Sequence, residues 1–380
     1  MPEHFTCQQL GFAVSLQDGL ISGSSGRNIR PSFLAWTLPQ HSRYLTSWIT
    51  DDTSNFRLVA DWIRRSQLQA PTHNNSIVID VGGNHGFYSI FSALLEGVRR
   101  VDYFEPQAAL RNRACAGILS NKVGHVIRVH GAGIGSTSGR FRVVGHEGTA
   151  HLIECDRQHA AADACVDTYT LDALYMPPCR RTLGSEKTHA SWISLLKIDN
   201  EGWEISALLG GTRLLASRFP PTGLGRQLIG ALLIEIAPGR WADRSRVSIT
   251  NGSAVLTRLD AQLGYLIWLG TRSNLICPHD LALRLRACSK GALCETSEKS
   301  VHGFRGDQWT PVESDEVEPL INRMMRHGRT RKRGQECTCN LWLEHRSWRR
   351  GVSGAVLARR VQRMANPAFE WDILPPVSNR

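Results

Sequence analysis

Short apolar or β-branched runs recur along the chain at IVIDVG (77–82), RVDYFEP (100–106), HVIRVHGAGIG (125–135), RFRVVG (140–145), WISLLKID (192–199), ALLIEIAP (231–238) and YLIWLG (265–270). Near-continuous apolar strands with helical stretches between them predict an α/β fold with a mostly parallel sheet covered on both faces. Upstream, TSNFRLVADWIRRSQLQ (53–69) sets Phe56, Val59, Ala60 and Ile63 at helical spacing behind Thr53 or Ser54 as cap, which predicts a helix. APTHNNS (70–76) breaks the chain after it, and SGSSGRN (22–28) reads as a loop. The pattern predicts three parts: an N-terminal helical or irregular extension over 1–70, an α/β domain over 71–275, and a basic, partly disordered C-terminal extension over 276–380.

Composition changes this picture in three places. With 42% hydrophobic residues, the 380-residue chain can build a sizeable core. The net charge of +11 is concentrated: residues 323–363 hold twelve Lys/Arg against two acids, so the rest is close to neutral. Such a tail can attract nucleic acid or anionic lipid, and its RTRKR (329–333) resembles a nuclear signal, but a solvated extension is the favoured reading. The ten cysteines show no regular spacing and no C-x-x-C pair, so reduced thiols and a cytoplasmic setting are expected. No secretory leader is read in MPEHFTCQQLGFAVSLQDG. The longest apolar run, LIGALLIEIA (228–237), is too short to span a bilayer and carries a glutamate, so no transmembrane segment is expected.

The candidate chemistry starts at DVGGNHG (80–86). A phosphate-cradling G-x-x-x-x-G-K-[ST] loop is excluded, since no lysine follows, and the glycines at 82, 83 and 86 miss the G-x-G-x-x-G dinucleotide spacing. Small residues let backbone approach a ligand, and an acid at the strand end suits a positive one. S-adenosylmethionine carries an ammonium and a sulfonium and no phosphate, so it suits this acidic turn. Glu105 ends the next run, where a carboxylate can accept hydrogen bonds from both ribose hydroxyls in a doubly wound fold. The two features together favour adenosylmethionine as cofactor.

Five blocks then occur in order: VIDVGGNHGFYSI (78–90), FEP (104–106), DTYTLDAL (167–174), LLKIDNEGWEISALLGG (195–211) and LLIEI (232–236). Together they resemble the FkbM family of adenosylmethionine-dependent methyltransferases, whose pattern runs D-V-G-A-N-x-G, F-E-P, T-L-D and K-I-D-V-E-G-x-E. The resemblance covers roughly 77–270. It implies a class I methyltransferase fold, a Rossmann-like, doubly wound, mostly parallel seven-stranded sheet, and methylation of hydroxyl oxygens on small molecules or glycans. It also implies that Asp80, Gly82, Gly83, Asn84 and Gly86 line the methionine end of the cofactor. Glu105, followed by Pro106, would hold the ribose, and Gly131 and Ala132 would lie near the adenine. Asp199 and Glu201 would face the transferred methyl. The chain departs from the pattern at Gly83, Asn200 and Trp203, and in insertions at 175–191 and 217–227, which bear on substrate more than on cofactor.

Methyl transfer to a neutral hydroxyl calls for alignment and a base within reach. Asp199 is the first candidate, with orientation of the cofactor amino group as its alternative. Glu201 could instead cap the helix beginning near Gly202. His85 and His130 are further base candidates, each open to a packing role. Glu235 is a buried acid that needs a partner. A zinc site from His327, Cys337, Cys339 and His345 lacks finger spacing, and no metal is expected. Trp192, Trp203, Trp241 and Trp268 read as core rather than as sugar platforms. Two rival readings remain: a methyltransferase on RNA or protein using the basic tail, and a non-catalytic cofactor-binding scaffold. D-N-E-G at 199–202 lacks the (N/D)-P-P-(Y/F) block of amino-group methylases, and the presence of Asp80, Glu105, Asp199 and Glu201 together favours catalysis.

Overall fold

A computed structural model describes residue 7 and residues 53–69, 76–145, 150–155, 165–176, 192–218, 228–271, 308–329 and 338–348. The insertions at 175–191 and 217–227, and most of the basic run at 323–363, lie largely outside them. In chain order the elements are α1 (Thr53–Gln69), β1 (Ser76–Val81), α2 (Phe87–Ala93), β2 (Val98–Phe104), α3 (Ala108–Ser120), β3 (Ile127–His130), β4 (Gly133–Ile134), β5 (Gly139–Val144), β6 (His151–Glu154) and β7 (Cys165–Tyr169). There follow α4 (Leu171–Tyr175), β8 (Trp192–Ile198), α5 (Glu204–Leu209), α6 (Thr212–Ala216), β9 (Ile229–Ile236), α7 (Ile249–Ala261), β10 (Tyr265–Thr271), β11 (Gln308–Val312), α8 (Val317–Arg329) and β12 (Cys339–His345).

The main sheet has eight strands in the order β11-β10-β12-β9-β8-β1-β2-β3. Strands β3, β2, β1, β8 and β9 pair in parallel, whereas β12 is antiparallel to both β9 and β10, and β11 is antiparallel to β10. Every residue of β1 and β8 is buried, as expected for strands with helices on both sides. Alternate residues serve opposite faces. Ile77, Ile79 and Val81 join a core with Leu208, Leu214, Leu256, Leu259, Leu320 and Ile321, from α5, α6, α7 and α8. Val78 and Leu195 join a second core with Val59, Trp62, Ile63, Phe87, Ile90, Ala114 and Ile118, from α1, α2 and α3. The apolar stripe of α1 thus packs as its spacing predicts. Trp192, Trp241 and Trp268 are core residues.

Two sequence expectations change. The sheet has eight strands where seven were expected, and RFRVVG is not among them. That run forms β5 in a separate four-stranded sheet, β4-β7-β5-β6. Its burial is intermittent, with only Phe141 fully buried, which is the mark of an antiparallel strand with a solvated face. The missing main-sheet strands come from beyond residue 275: β11 and β12, with β12 wedged between β9 and β10. NLWLEH carries polar residues at buried positions. They are tolerated because Glu344 accepts hydrogen bonds from Arg65 Nη2 and Trp342 Nε1, each at 3.0 Å.

The cysteines also differ from expectation. Cys7 is bonded to Cys115 on α3, and Cys155 to Cys165 across the base of the small sheet. Spacing did not reveal these pairs because the fold, not the sequence, brings the thiols together. The argument for a cytoplasmic setting from reduced thiols therefore fails for these four. Among the described residues no helix is long and apolar enough to cross a membrane. The Cys7–Cys115 bond closes a loop with a sequence separation of 108. Cys7→Ser should lower the unfolding free energy by about 2–4 kcal/mol, read as a shift in denaturant midpoint. Thiol alkylation of folded protein should leave these four cysteines unlabelled until a reductant is added.

Candidate active site

β1 runs straight into a turn that bare backbone makes possible. Gly82 has φ +70°, and a Cβ there would stand 1.8 Å from the Asp199 carbonyl oxygen at the end of β8. Two neighbouring strands therefore meet backbone to backbone at their carboxyl ends. The N–H groups of Gly82 and Gly83 both donate to the Phe104 carbonyl at 3.0 Å, which ties the turn to β2 as well. Gly83 packs against the Tyr103 ring, and Tyr103 Oη donates to the Asn84 carbonyl at 2.6 Å. Gly86 closes the turn, accepting the first backbone bond of α2 from Ile90 at 2.8 Å.

Glu105 follows β2 and is almost fully buried. Its Oε2 accepts the Asn84 N–H at 3.1 Å and its Oε1 accepts the Gln107 N–H at 2.8 Å. Burial raises its pKa and the two N–H groups oppose that, leaving the carboxyl pushed up to about 7. The Arg111 guanidinium donates to the Glu105 and Pro106 carbonyls, both at 2.8 Å. It lies over Gly131, where a Cβ would be 3.0 Å from its central carbon. Ala132, next along, is buried. Asn84, Glu105, Pro106, Gly131 and Ala132 thus gather at the carboxyl ends of β1, β2 and β3.

Asp80 is not in that gathering. It is fully buried, one residue before the end of β1, and faces α2. Its Oδ2 accepts Ser89 Oγ at 2.7 Å, and its Oδ1 lies 3.3 Å from Lys197 Nζ. Lys197 is its register partner on β8. The ammonium also reaches Asp199 Oδ2 at 3.4 Å and lies 5.0 Å from the Tyr88 ring centre. Burial would lower the lysine pKa, but Asp80 and Asp199 outweigh it and hold Lys197 firmly protonated, with a smaller push from Glu235. Lys197 was not among the sequence candidates. Its signal was present, as the only cation in an otherwise apolar strand run, WISLLKID.

After β8, Asp199 donates its N–H to the Val81 carbonyl at 3.0 Å and keeps a side chain 19% exposed. The carboxylate of Glu201 pairs with Arg240 and, at 3.6 Å, with Arg244, while its carbonyl accepts Arg244 Nη1 at 2.7 Å. The arginines come from the helical turn Pro238–Ser245 after β9, and they press on Gly202, where a Cβ would be 2.7 Å from the Arg240 Cβ. Glu201 itself sits at φ 58°, left-handed backbone that non-glycine residues seldom adopt. Rather than capping α5, Glu201 anchors the arginines. The cap-like role falls to Glu204, whose Oε1 accepts the Gly202 N–H at 2.6 Å and whose Oε2 accepts Trp241 Nε1 at 3.1 Å. Burial is the largest influence on Glu204 and pushes its pKa up to about 8.

The remaining candidates have side chains engaged with other partners. His85 stacks on Phe87, with ring centres 5.8 Å apart, and its Nε2 is 3.4 Å from Arg113 Nη1 on α3. His130 stacks on Phe104 at 4.4 Å and reaches Asp102 at 3.6 Å. Glu235 sits opposite Asn340 of β12. Of the drawn zinc set, His345 lies 2.7 Å from the Leu263 carbonyl and 2.7 Å from Ser347 Oγ, Cys339 packs on Met324, and the side chains of His327 and Cys337 are outside the described residues. Above the loop from Asp199, the small sheet sets Phe141 edge-on to Trp203, with ring centres 5.3 Å apart.

Residues 80–245 match the family model described as the methyltransferase FkbM domain, a span somewhat under half of the chain. No curated protein matched the chain. The matched span contains the glycine turn, Glu105, the Lys197–Glu204 block and both arginines. It supports a methyltransferase.

Two outcomes follow from this geometry. Gly82→Ala should destabilise by more than the roughly 1–2 kcal/mol of left-handed backbone alone, because its methyl meets main chain, and denaturant unfolding measures the loss. Glu204 binds its proton more tightly folded than unfolded. Its contribution to stability is therefore full below the ordinary glutamate range and is lost as pH rises toward 8. Glu204→Gln should flatten the fall in stability between about pH 5 and 8, measured by midpoints across that range.

Proposed function

We propose that the chain is an adenosylmethionine-dependent methyltransferase of class I architecture that methylates a hydroxyl on a small molecule or glycan. One observation carries the reading. The backbone-tight turn at Gly82–Gly86 and the buried Glu105 are joined by the Asn84 N–H at the carboxyl edge of the sheet, where open α/β sheets bind ligands. The strand order supports it: five parallel strands centred on β1, then β12 antiparallel between β9 and β10, with β11 as an added edge.

The donor set fits a cationic cofactor. The side-chain oxygens of Asn84 and Asn200 are buried without a hydrogen-bond partner. Asp199 adds a partly exposed carboxylate at the same edge, held through Oδ2 by Lys197. In this reading Asn84 and Asp199 hold the methionine end, Glu105 the ribose hydroxyls, and Gly131 and Ala132 flank the adenine. Bound adenosylmethionine supplies an activated methyl carbon, and the protein's part is chiefly to align the acceptor oxygen with it. Asp199 lies 3.4 Å from the Lys197 ammonium, and in this reading it orients the cofactor's cationic end. Asp80 supports the turn from beneath. Glu201 fixes the loop through its arginines. The hydroxyl acceptor rests on the family resemblance, and the compartment is better sought where disulfides persist than in the cytosol.

Calorimetric titration with adenosylmethionine tests the reading. Micromolar binding that Glu105→Ala abolishes supports it, and no binding by folded wild type sinks it. Because burial pushes the Glu105 pKa up to about 7 and its anion is the better hydrogen-bond acceptor, affinity should tighten as pH rises from 6 to 8, by up to roughly tenfold. Glu105→Gln should bind weakly and without that pH dependence.

A further inference from the structure

We propose that Lys197 is a positioning residue that acts on the cofactor through Asp199, anchored from behind by Asp80. The proposal rests on the adenosylmethionine reading. Side chains two residues apart on a strand point to the same face, so Lys197 and Asp199 share the α2 side of β8. Asp80 enters from the neighbouring strand at the same level. The ammonium stands between the two carboxylates, 3.3 Å from one and 3.4 Å from the other, with the Tyr88 ring on a further side. Lys197 is 5% exposed and Asp80 fully buried. Asp199 is the member that meets solvent, with its side chain 19% exposed.

The chain of contacts therefore runs outward from Ser89 to Asp80, then to Lys197, Asp199 and the crevice. The inner links are enclosed, with Asp80 fully buried and Lys197 5% exposed, which restricts their freedom to rearrange. Asp199 inherits that restraint through its Oδ2, which leaves Oδ1 to engage the ligand. Without the ammonium, Asp199 would lose the contact that holds its Oδ2 in place. Lys197 need not touch the cofactor to decide how well it binds.

The test is a mutant cycle read by titration with adenosylmethionine. Asp80→Asn with Lys197→Met removes the inner pair as a neutral unit, a change that buried ion pairs often tolerate. Its melting temperature checks the fold. The double variant and Asp199→Asn should each weaken binding by roughly tenfold or more. The triple variant should bind no more weakly than Asp199→Asn alone, since both changes remove one function. Unchanged or tighter binding in a folded double variant overturns the proposal, as do losses that multiply in the triple variant. If the double variant does not fold, Lys197→Gln takes its place in the same cycle, with the same outcomes required. Absence of binding by wild type would instead overturn the cofactor reading, which keeps the two failures distinct.

Discussion

The carboxyl ends of β1 and β8 touch through main chain at Gly82, and the arrangement of the site depends on that contact. A side chain at Gly82 would occupy the space of the Asp199 carbonyl. With none there, the Asp199 N–H can bond the Val81 carbonyl, and β8 stays in register to the level where the turn begins. That register puts Lys197 opposite Asp80. It also sets the loop from Asn200 to Trp203 beside the small sheet, where Asn200 Nδ2 bonds the Ile134 carbonyl at 3.3 Å. The absence of a side chain at Gly82 thus permits the close approach of the two strand ends.

The central parallel strands were legible because each carries its own signal. IVIDVG, WISLLKID and ALLIEIAP are apolar on both faces, which only a doubly covered sheet can use. The limits of that reasoning show at RFRVVG and at NLWLEH. The first has apolar residues enough for a strand, yet its alternation assigns it to a half-exposed sheet. The second hides Asn340 and Glu344 in the core, and its place depends on partners far away in sequence. Arg65 lies 279 residues from Glu344. No local pattern encodes such a pairing, and the same holds for the thiols of Cys7 and Cys115.

At the site the division is similar. The turn at Gly82 and the strand-end carboxylate of Glu105 could be singled out from spacing because turns and strand ends are local, whereas Gly131 entered only through the family resemblance. The partners of charged residues could not be placed in this way. Asp80 read as a ligand to the cofactor, and the structure gives it Lys197 and Ser89. Glu201 read as a base or a cap, and the structure gives it two arginines from the far side of β9. A buried charge is costly without a counter-charge, so the fully buried Asp80 demanded a partner, but the sequence does not say from which element it comes.

The block K-I-D-N-E-G-W-E gains a physical explanation from these pairings. Lys197 answers Asp80 on β1. The backbone of Asp199 lies against Gly82. Glu201 holds Arg240 and Arg244, and Gly202 clears the space that those side chains fill. Trp203 meets Phe141 of the small sheet, and Glu204 turns back to the Gly202 N–H and across to Trp241. The block meets β1 and its turn, the helical turn after β9 and the small sheet, which is what a strand running into a left-handed turn and then a helix achieves in eight residues. Its spacing is therefore constrained from three sides at once. A shift of one residue would place Lys197 on the opposite face of β8 and leave the Asp80 carboxylate buried without its cation.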